Sequence, residues 1–180
     1  MKNVKRLAFL FLVFVSHLTC ASSQLEQSIT MHIDKDMEHA TRLLREVVDI
    51  NSGTMNLEGV KEVGARFDRE FKQIGFETQW VDGKDFDRAG HFVATYGNKG
   101  PKILMIGHLD TVFAKDDAFQ RFQQLDEHFV AGPGITDMKG GDVIILYALR
   151  ALKANGLLDN MQIKVVMTGD EERSGRPLSK

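Results

Sequence analysis

His108 and Asp110 stand two residues apart at the end of an apolar stretch, and both are residue types that could serve a metal ion. The apolar stretch 103–106 predicts a buried strand, and alternate residues of a strand point to the same side. An imidazole that binds a metal through one nitrogen is commonly oriented by a carboxylate at the other nitrogen. The pair therefore predicts a metal ligand with its orienting carboxylate. A hydrogen-bonded core or loop histidine is the alternative that this pair alone leaves open.

Three more acidic residues stand at the predicted ends of other elements. Asp137 comes just before a helix, and Glu171 and Glu172 follow a second apolar strand. Because ligands of α/β proteins bind at the carboxyl ends of strands, we expect these side chains to converge with His108. Carboxylates that crowd together repel one another unless a cation lies among them. Imidazole and carboxylate ligands without a thiolate suit zinc or a similar divalent ion.

Each of these patterns also has an interpretation that involves no metal. Asp137 could cap the helix that follows it, as aspartate often does. The glycine-rich segments 132–134 and 139–141 resemble a phosphate-binding loop, although they lack the Gly-Lys-Ser/Thr ending of such a loop. The run 170–172 could be a solvated acidic turn. The histidines outside the strand end are interpreted as ordinary strand, turn or N-terminal residues: His32, His39, His91 and His128.

Alternating helical and strand patterns surround these residues and predict an α/β sandwich. Helices are predicted at 34–50, with Asp34 or Asp36 as the cap, at 57–74 and at 138–155; strands are predicted at 76–81, 91–96, 103–108 and 161–167, with two short strands on either side of 126–128. A tight turn at 97–101 predicts that the second and third strands form a hairpin. The sheet is therefore expected to be mixed.

Composition and the N-terminus restrict the location and the partners of the protein. The formal charge is −2, and no cluster of Lys and Arg outside the N-terminal segment suggests nucleic acid as a partner. Residues 1–23 have a basic start, an apolar run at 7–15 and small residues near 21–23, which predicts a secretory signal peptide and an exported, periplasmic or secreted, protein. Cys20 is the single cysteine, and the residues before it make a poor lipoprotein cleavage site.

Three blocks of the sequence resemble, in order and spacing, the signature blocks of one metallopeptidase family. They are His-Leu-Asp-Thr-Val at 108–112, Gly-Pro-Gly-Ile-Thr-Asp-Met-Lys-Gly-Gly at 132–141 and Thr-Gly-Asp-Glu-Glu at 168–172. The family comprises the di-zinc glutamate carboxypeptidases, aminoacylases, dipeptidases, and acetylornithine and succinyl-diaminopimelate deacylases. The resemblance implies a zinc exopeptidase-like catalytic domain, a three-layer α/β sandwich with a mixed, largely parallel sheet.

The resemblance also implies a role for each residue of the three blocks. His108 and Glu172 are expected to bind one zinc ion each, and Asp137 to bridge the two ions, with a peptide bond after it that is often cis in the family. Asp110 is expected to orient His108, and Glu171 to act as the general base. Two Zn²⁺ ions per complete site are expected, with Co²⁺ or Mn²⁺ as alternatives.

The implied reaction is hydrolysis of an amide bond in a small peptide or N-acyl amino acid by a metal-activated water, with the glutamate carboxypeptidase type favoured over an aminoacylase, deacetylase or dipeptidase. A non-catalytic metal-binding homologue and a different two-metal hydrolase, such as a strict aminopeptidase, are the rivals. The resemblance runs over about 34–177, so we expect 34–180 to be the N-terminal part of the catalytic domain. The remaining ligands, the lid and dimerisation domain and a homodimeric assembly are then expected of a longer enzyme, and these 180 residues alone are expected to be inactive or nearly so.

Overall fold

The computed structural model describes residues 23–175, so the predicted signal segment lies outside the described residues except for Ser23. The elements are listed here in chain order: α1 (Gln24–Asp49), α2 (Leu57–Gln73), β1 (Glu77–Asp82), a 3₁₀ turn (Lys84–Phe86), β2 (Gly90–Tyr96), β3 (Lys102–His108), β4 (Gln123–Gln124), β5 (Val130–Ala131), a short helical turn (Ile135–Lys139), α3 (Gly140–Ala154) and β6 (Gln162–Thr168). No helix among residues 23–175 is both long and apolar enough to cross a membrane.

Helix α1 begins ten residues before the predicted start at position 34, which was therefore wrong. Ser23 caps it: the Ser23 hydroxyl accepts from the Glu26 amide at 3.2 Å, and the Ser23 amide donates to the Glu26 carboxylate at 2.6 Å. The buried residues of the helix, Leu43, Val47 and Val48, all lie in its C-terminal half. The N-terminal half carries Leu25, Ile29 and Ile33 at helical spacing but buries none of them, and Leu25 and Ile33 are exposed.

The four-stranded sheet has the order β1-β2-β6-β3, so the predicted hairpin between β2 and β3 is wrong. Strand β6 runs between them, antiparallel to β2 and parallel to β3. The turn between β2 and β3 crosses the start of β6 at close range, because a Cβ on Gly97 would lie 2.0 Å from the Met161 carbonyl oxygen. Gly97 also has a φ of 71°, which favours glycine. The sequence indicated the turn, but β6, which lies between β2 and β3, follows about sixty residues later in the chain.

The predicted mixed α/β sheet is confirmed: β1, β3 and β6 run in one direction and β2 in the other. All three helices lie on one face, where Ile163, Val165 and Met167 of β6 are buried. Glu70 of α2 joins the helices by accepting from Arg66 and from Arg150 of α3, each at 2.8 Å. The opposite face exposes apolar side chains, with Leu104 59% and Ile106 64% exposed, so residues 23–175 build two of the three expected layers.

The parallel pair β3–β6 brings two of the sequence blocks together. His108, the last residue of β3, pairs with Thr168, the last residue of β6. The Leu109 amide continues the ladder by donating to the Thr168 carbonyl at 2.7 Å. The segments that follow β3 and β6 therefore leave the sheet side by side at its carboxyl edge, where ligands of α/β proteins bind.

Candidate metal centre

His108, Asp137 and Glu172 meet at this carboxyl edge, although they come from three separate segments. One potential ligand atom from each of them lies within 4.8 Å of the others. The His108 Nε2 and an Asp137 carboxylate oxygen are 2.9 Å apart. His108 is buried, Glu172 is half-buried and Asp137 is exposed. The convergence with His108 that was predicted from the strand ends is thus confirmed for Asp137 and Glu172, and the arrangement could hold a cation.

The loop after β5 places Asp137 in this group. Gly134 takes a left-handed conformation with a φ of 75°, and Asp137 departs from helical geometry with a φ of −132° and a ψ of 96°. The peptide bond after Asp137 is cis, as the family resemblance implied. Helix α3 begins after Lys139 without a side-chain cap, so Asp137 does not cap the helix.

Asp110 lies behind His108 and is completely buried. Its backbone carbonyl accepts from the His108 Nδ1 at 3.1 Å, and its carboxylate oxygen Oδ1 lies 3.5 Å from the same nitrogen. The backbone amides of Glu171 and Glu172 donate to Oδ1 and Oδ2, each at 3.1 Å. Asp110 therefore faces the histidine, as the sequence suggested, and also holds the acidic turn, which the sequence did not suggest.

An open cavity of about 490 Å³ adjoins the group and is lined by Asp137 and Glu172. Phe113 and Phe119 form an apolar wall of this cavity, with their ring centroids 5.2 Å apart. A larger cavity of about 660 Å³ lies beside Tyr96 at the other end of the strands, away from these acidic residues. A small substrate in the cavity of about 490 Å³ could meet the predicted ligands Asp137 and Glu172.

Comparison with known proteins decides the family. Residues 104–180 match the model of peptidase family M20/M25/M40. Over 133 residues the chain is 31% identical to carboxypeptidase G2 of Pseudomonas sp. (strain RS-16). The matched stretch covers 73% of this chain and 32% of that protein. Residues 104–180 of this protein belong to peptidase family M20/M25/M40.

Other relatives of this peptidase family member include the succinyl-diaminopimelate desuccinylase of Rickettsia typhi, 29% identical over 141 residues that cover 73% of this chain and 36% of that protein. Among solved structures, the dipeptidase Dug1p of Saccharomyces cerevisiae has a TM-score of 0.71 at 19% identity, covering 86% of this chain and 36% of that chain. Human carnosine dipeptidase 1 has the same TM-score at 21% identity, covering 87% and 37%. The two structures show the same fold. The chain spans about a third of the length of the curated relatives that it matches.

The electrostatics of this M20/M25/M40 site favour charge on Asp110 and on His108. Burial alone would raise the pKa of Asp110, but the hydrogen bonds from His108, Thr54 and the amides of Glu171 and Glu172 outweigh it and lower the pKa. Burial would lower the pKa of His108, yet Asp110 and Asp137 raise it to about 9. Both ring nitrogens of His108 face oxygen acceptors, which explains the direction of that shift.

Glu171 and Glu172 differ in exposure although they are neighbours. Glu172 belongs to the group of potential ligands, while Glu171 is exposed and outside it. Burial raises the pKa of Glu172; His108 acts against that shift, and the surrounding carboxylates of Asp137, Asp110 and Glu171 add to it. The two side chains could therefore do different work.

Lys139 follows the Asp137–Met138 peptide, is buried, and is hydrogen-bonded to the C-terminal end of helix α1. Its ammonium group donates to the carbonyl oxygens of Val47 at 2.7 Å and Ile50 at 3.0 Å. Burial lowers the pKa of Lys139 to about 7, against the opposing effects of Asp142 and Asp49. A lysine held in this way does not face a ligand, so the alternative of a phosphate-binding loop fails.

His91 contacts the turn that carries Glu171 and Glu172, so its interpretation as an ordinary strand residue was incomplete. It is buried in β2, and its Nδ1 accepts from the Gly169 amide at 3.3 Å and lies 3.8 Å from Asp170. His91 therefore helps to hold the acidic turn 170–172 in position. The sequence offered no signal for this contact, because it depends on β6 lying beside β2. His128 is an exposed turn residue next to Glu127, as expected.

Proposed function

We propose that the protein is a metal-dependent hydrolase of amide bonds, of the glutamate carboxypeptidase type. The observation that carries this proposal is the convergence of His108, Asp137 and Glu172 within 4.8 Å. One imidazole nitrogen and two carboxylate groups form a ligand set that zinc accepts, and residues 23–175 contain no cysteine that would compete with them. The residues present therefore fit a zinc ion.

In this proposal His108, Asp137 and Glu172 would hold the metal. A bound zinc ion supplies Lewis-acid chemistry, which acidifies water and polarises the carbonyl group of the substrate. Asp110 orients the His108 ring so that Nε2 faces Asp137 and the metal position. Carboxylates in such a position behind a metal-binding histidine commonly raise metal affinity 10- to 100-fold.

Glu171 is the proposed general base. The side chain of Glu171 is exposed, and its backbone amide donates to Asp110 Oδ1 at 3.1 Å. This hydrogen bond holds the turn that carries Glu171 in place. The Glu171 carboxylate takes a proton from the attacking water and returns it to the amine that leaves. General acid–base catalysis of this kind contributes about 10²- to 10⁴-fold to a rate.

The substrates that we propose are small peptides and N-acyl amino acids, and the favoured reaction removes a C-terminal residue. The 31% identity to carboxypeptidase G2 supports this type of reaction. Deacylation is the second candidate, because a succinyl-diaminopimelate desuccinylase is 29% identical over a similar span. We also propose that residues 1–23 direct export and that the whole protein forms a homodimer.

The experiment that tests the proposal compares Glu171→Gln with Glu172→Gln. Zinc content is measured on the purified chain, and hydrolysis of C-terminal glutamate peptides, N-acyl amino acids and dipeptides is measured on the whole protein. We expect Glu171→Gln to keep zinc and lose at least about 100-fold in kcat, and Glu172→Gln to lose both zinc and turnover.

Hydrolysis that survives complete removal of the metal, or an unchanged kcat in Glu171→Gln, would contradict the proposal. Zinc binding without turnover of any substrate class would favour the non-catalytic homologue instead. The low activity expected of these 180 residues alone stays a prediction, which the same assays on the chain would check.

A further inference from the structure

The loop between α1 and α2 places Thr54 against the back of the candidate metal centre. The Thr54 hydroxyl donates to Asp110 Oδ2 at 2.6 Å. Thr54 is only 6% exposed, and its backbone amide donates to the Thr111 carbonyl at 3.1 Å. The Thr111 amide in turn donates to the Ser52 carbonyl at 2.9 Å. The loop is thus paired with the chain just after β3, and this pairing fixes the position of the Thr54 hydroxyl.

The contacts of Asp110 show what this hydroxyl does. Oδ1 faces the amide of Glu171 and the ring of His108, while Oδ2 faces the amide of Glu172 and the hydroxyl of Thr54. The contact from Thr54 is the shortest of these four. The terminal torsion of an aspartate is soft, so the plane of the carboxylate is set by its partners. Because Asp110 touches both sides of the site, a rotation of this plane would disturb His108 and the acidic turn together.

We propose that Thr54 is a positioning residue of the metal centre. Its hydroxyl fixes the plane of the Asp110 carboxylate, and through that carboxylate it sets the orientation of the His108 ring and of the backbone that carries Glu171 and Glu172. This proposal rests on the proposed function for its catalytic meaning, since it assumes that these residues bind metal and act as base. The hydrogen-bond arrangement itself is independent of that assumption.

Three variants test the role of the hydroxyl. Thr54→Val keeps the shape of the side chain and removes the hydroxyl, while Thr54→Ser restores it. Ser52→Ala is the matched control, because Ser52 is buried in the same loop and its hydroxyl has no partner among residues 23–175. Thr54→Ala serves as the second variant without a hydroxyl if Thr54→Val does not fold.

The first readout is the backbone amide proton signals of Glu171 and Glu172, recorded by NMR on the purified chain without metal. We expect both signals to move in Thr54→Val and to stay at their original positions in Thr54→Ser and Ser52→Ala. This readout needs neither metal nor activity, so it tests the role of Thr54 even if the proposed hydrolase function fails.

The second readout is the dissociation constant for zinc, measured by competition with a chelator of known affinity. We expect Thr54→Val to weaken zinc binding about 10-fold, at the lower end of the effect of removing a hydrogen-bond partner that supports a metal ligand, and we expect Thr54→Ser to recover most of it. Unchanged amide signals and zinc affinity in Thr54→Val, or a Thr54→Ser variant as impaired as Thr54→Val, would overturn the proposal.

Discussion

Asp110 and Asp142 are both completely buried close to His108, but they differ in their hydrogen bonds and in the direction of their pKa shifts. Asp110 accepts hydrogen bonds from Thr54 and from two backbone amides. Neither carboxylate oxygen of Asp142 has a hydrogen-bond partner in the part of the chain that the structure describes. The pKa of Asp110 is lowered, whereas burial raises the pKa of Asp142 well above its ordinary value, despite the opposing effects of His108 and Lys139.

Burial by itself therefore does not determine the charge of a carboxyl group in this protein. Transfer from water penalises the charged form at both positions, and only Asp110 has donors that compensate for the penalty. The charge is therefore kept where it supports His108 and the acidic turn. Asp142 lies beside Gly107, where burial without hydrogen-bond donors favours its neutral form.

The largest effect is expected from Asp110→Asn. An amide at this position presents hydrogen atoms where Asp110 accepts from Thr54 and from the Glu172 amide, so buried donors lose their acceptor. We expect the free energy of unfolding, measured by urea denaturation, to fall by about 3 kcal/mol. A loss of less than about 1 kcal/mol would show that the hydrogen bonds of Asp110 matter less than its geometry suggests.

Gly107→Ala is expected to cost less, because it overpacks the space that Asp142 fills. A Cβ on Gly107 would lie 2.0 Å from Asp142 Oδ1, so one of the two must move. We expect a loss of about 2 kcal/mol in the free energy of unfolding. In the double variant Gly107→Ala with Asp142→Ala, part of that loss should return. Simple additivity of the two changes would contradict the assigned contact.

Asp142→Asn should have the smallest effect, and its sign should depend on pH. Because the folded-state pKa of Asp142 is raised, the native state holds a proton that the unfolded state has released. The contribution of Asp142 to the stability of the original protein should therefore fall as the pH rises from the ordinary pKa of an aspartate through the folded-state pKa.

An amide side chain in place of the Asp142 carboxyl group cannot ionise, so the variant should lack this decline. We expect the two proteins to differ by less than about 1 kcal/mol at the acidic end of this window and the variant to become the more stable one as the pH rises. Lys139, with its pKa lowered to about 7, adds a slope of opposite sign above that pH, so denaturation is best followed below it. Glu127→Gln, on an exposed side chain, controls for the loss of one negative charge. Parallel pH profiles for Asp142→Asn and the original protein would show that Asp142 ionises normally.

Sequence was sufficient where strand ends carried the chemistry, and it failed where distant segments meet. His108, Asp137 and Glu172 could be predicted to converge because each follows or precedes a recognisable element. The position of β6 between β2 and β3 could not be predicted, since a turn such as 97–101 shows only that the chain reverses direction.

The same limit explains the residues around the site that the sequence did not reveal. Thr54 contacts Asp110 across 56 residues of chain, and Lys139 reaches Val47 across 92 residues. His91 reaches Gly169 across 78 residues. Thr54 and His91 lie in no pattern of their own, and the block that contains Lys139 does not indicate a contact with α1, so only the tertiary contacts reveal these roles.

The most direct test of the metal centre is anomalous diffraction at the zinc absorption edge, from crystals of the protein grown with zinc. We predict an anomalous peak among the side chains of His108, Asp137 and Glu172, which disappears in crystals of Glu172→Gln. A peak located elsewhere, or no peak between these three side chains in crystals saturated with zinc, would contradict this prediction.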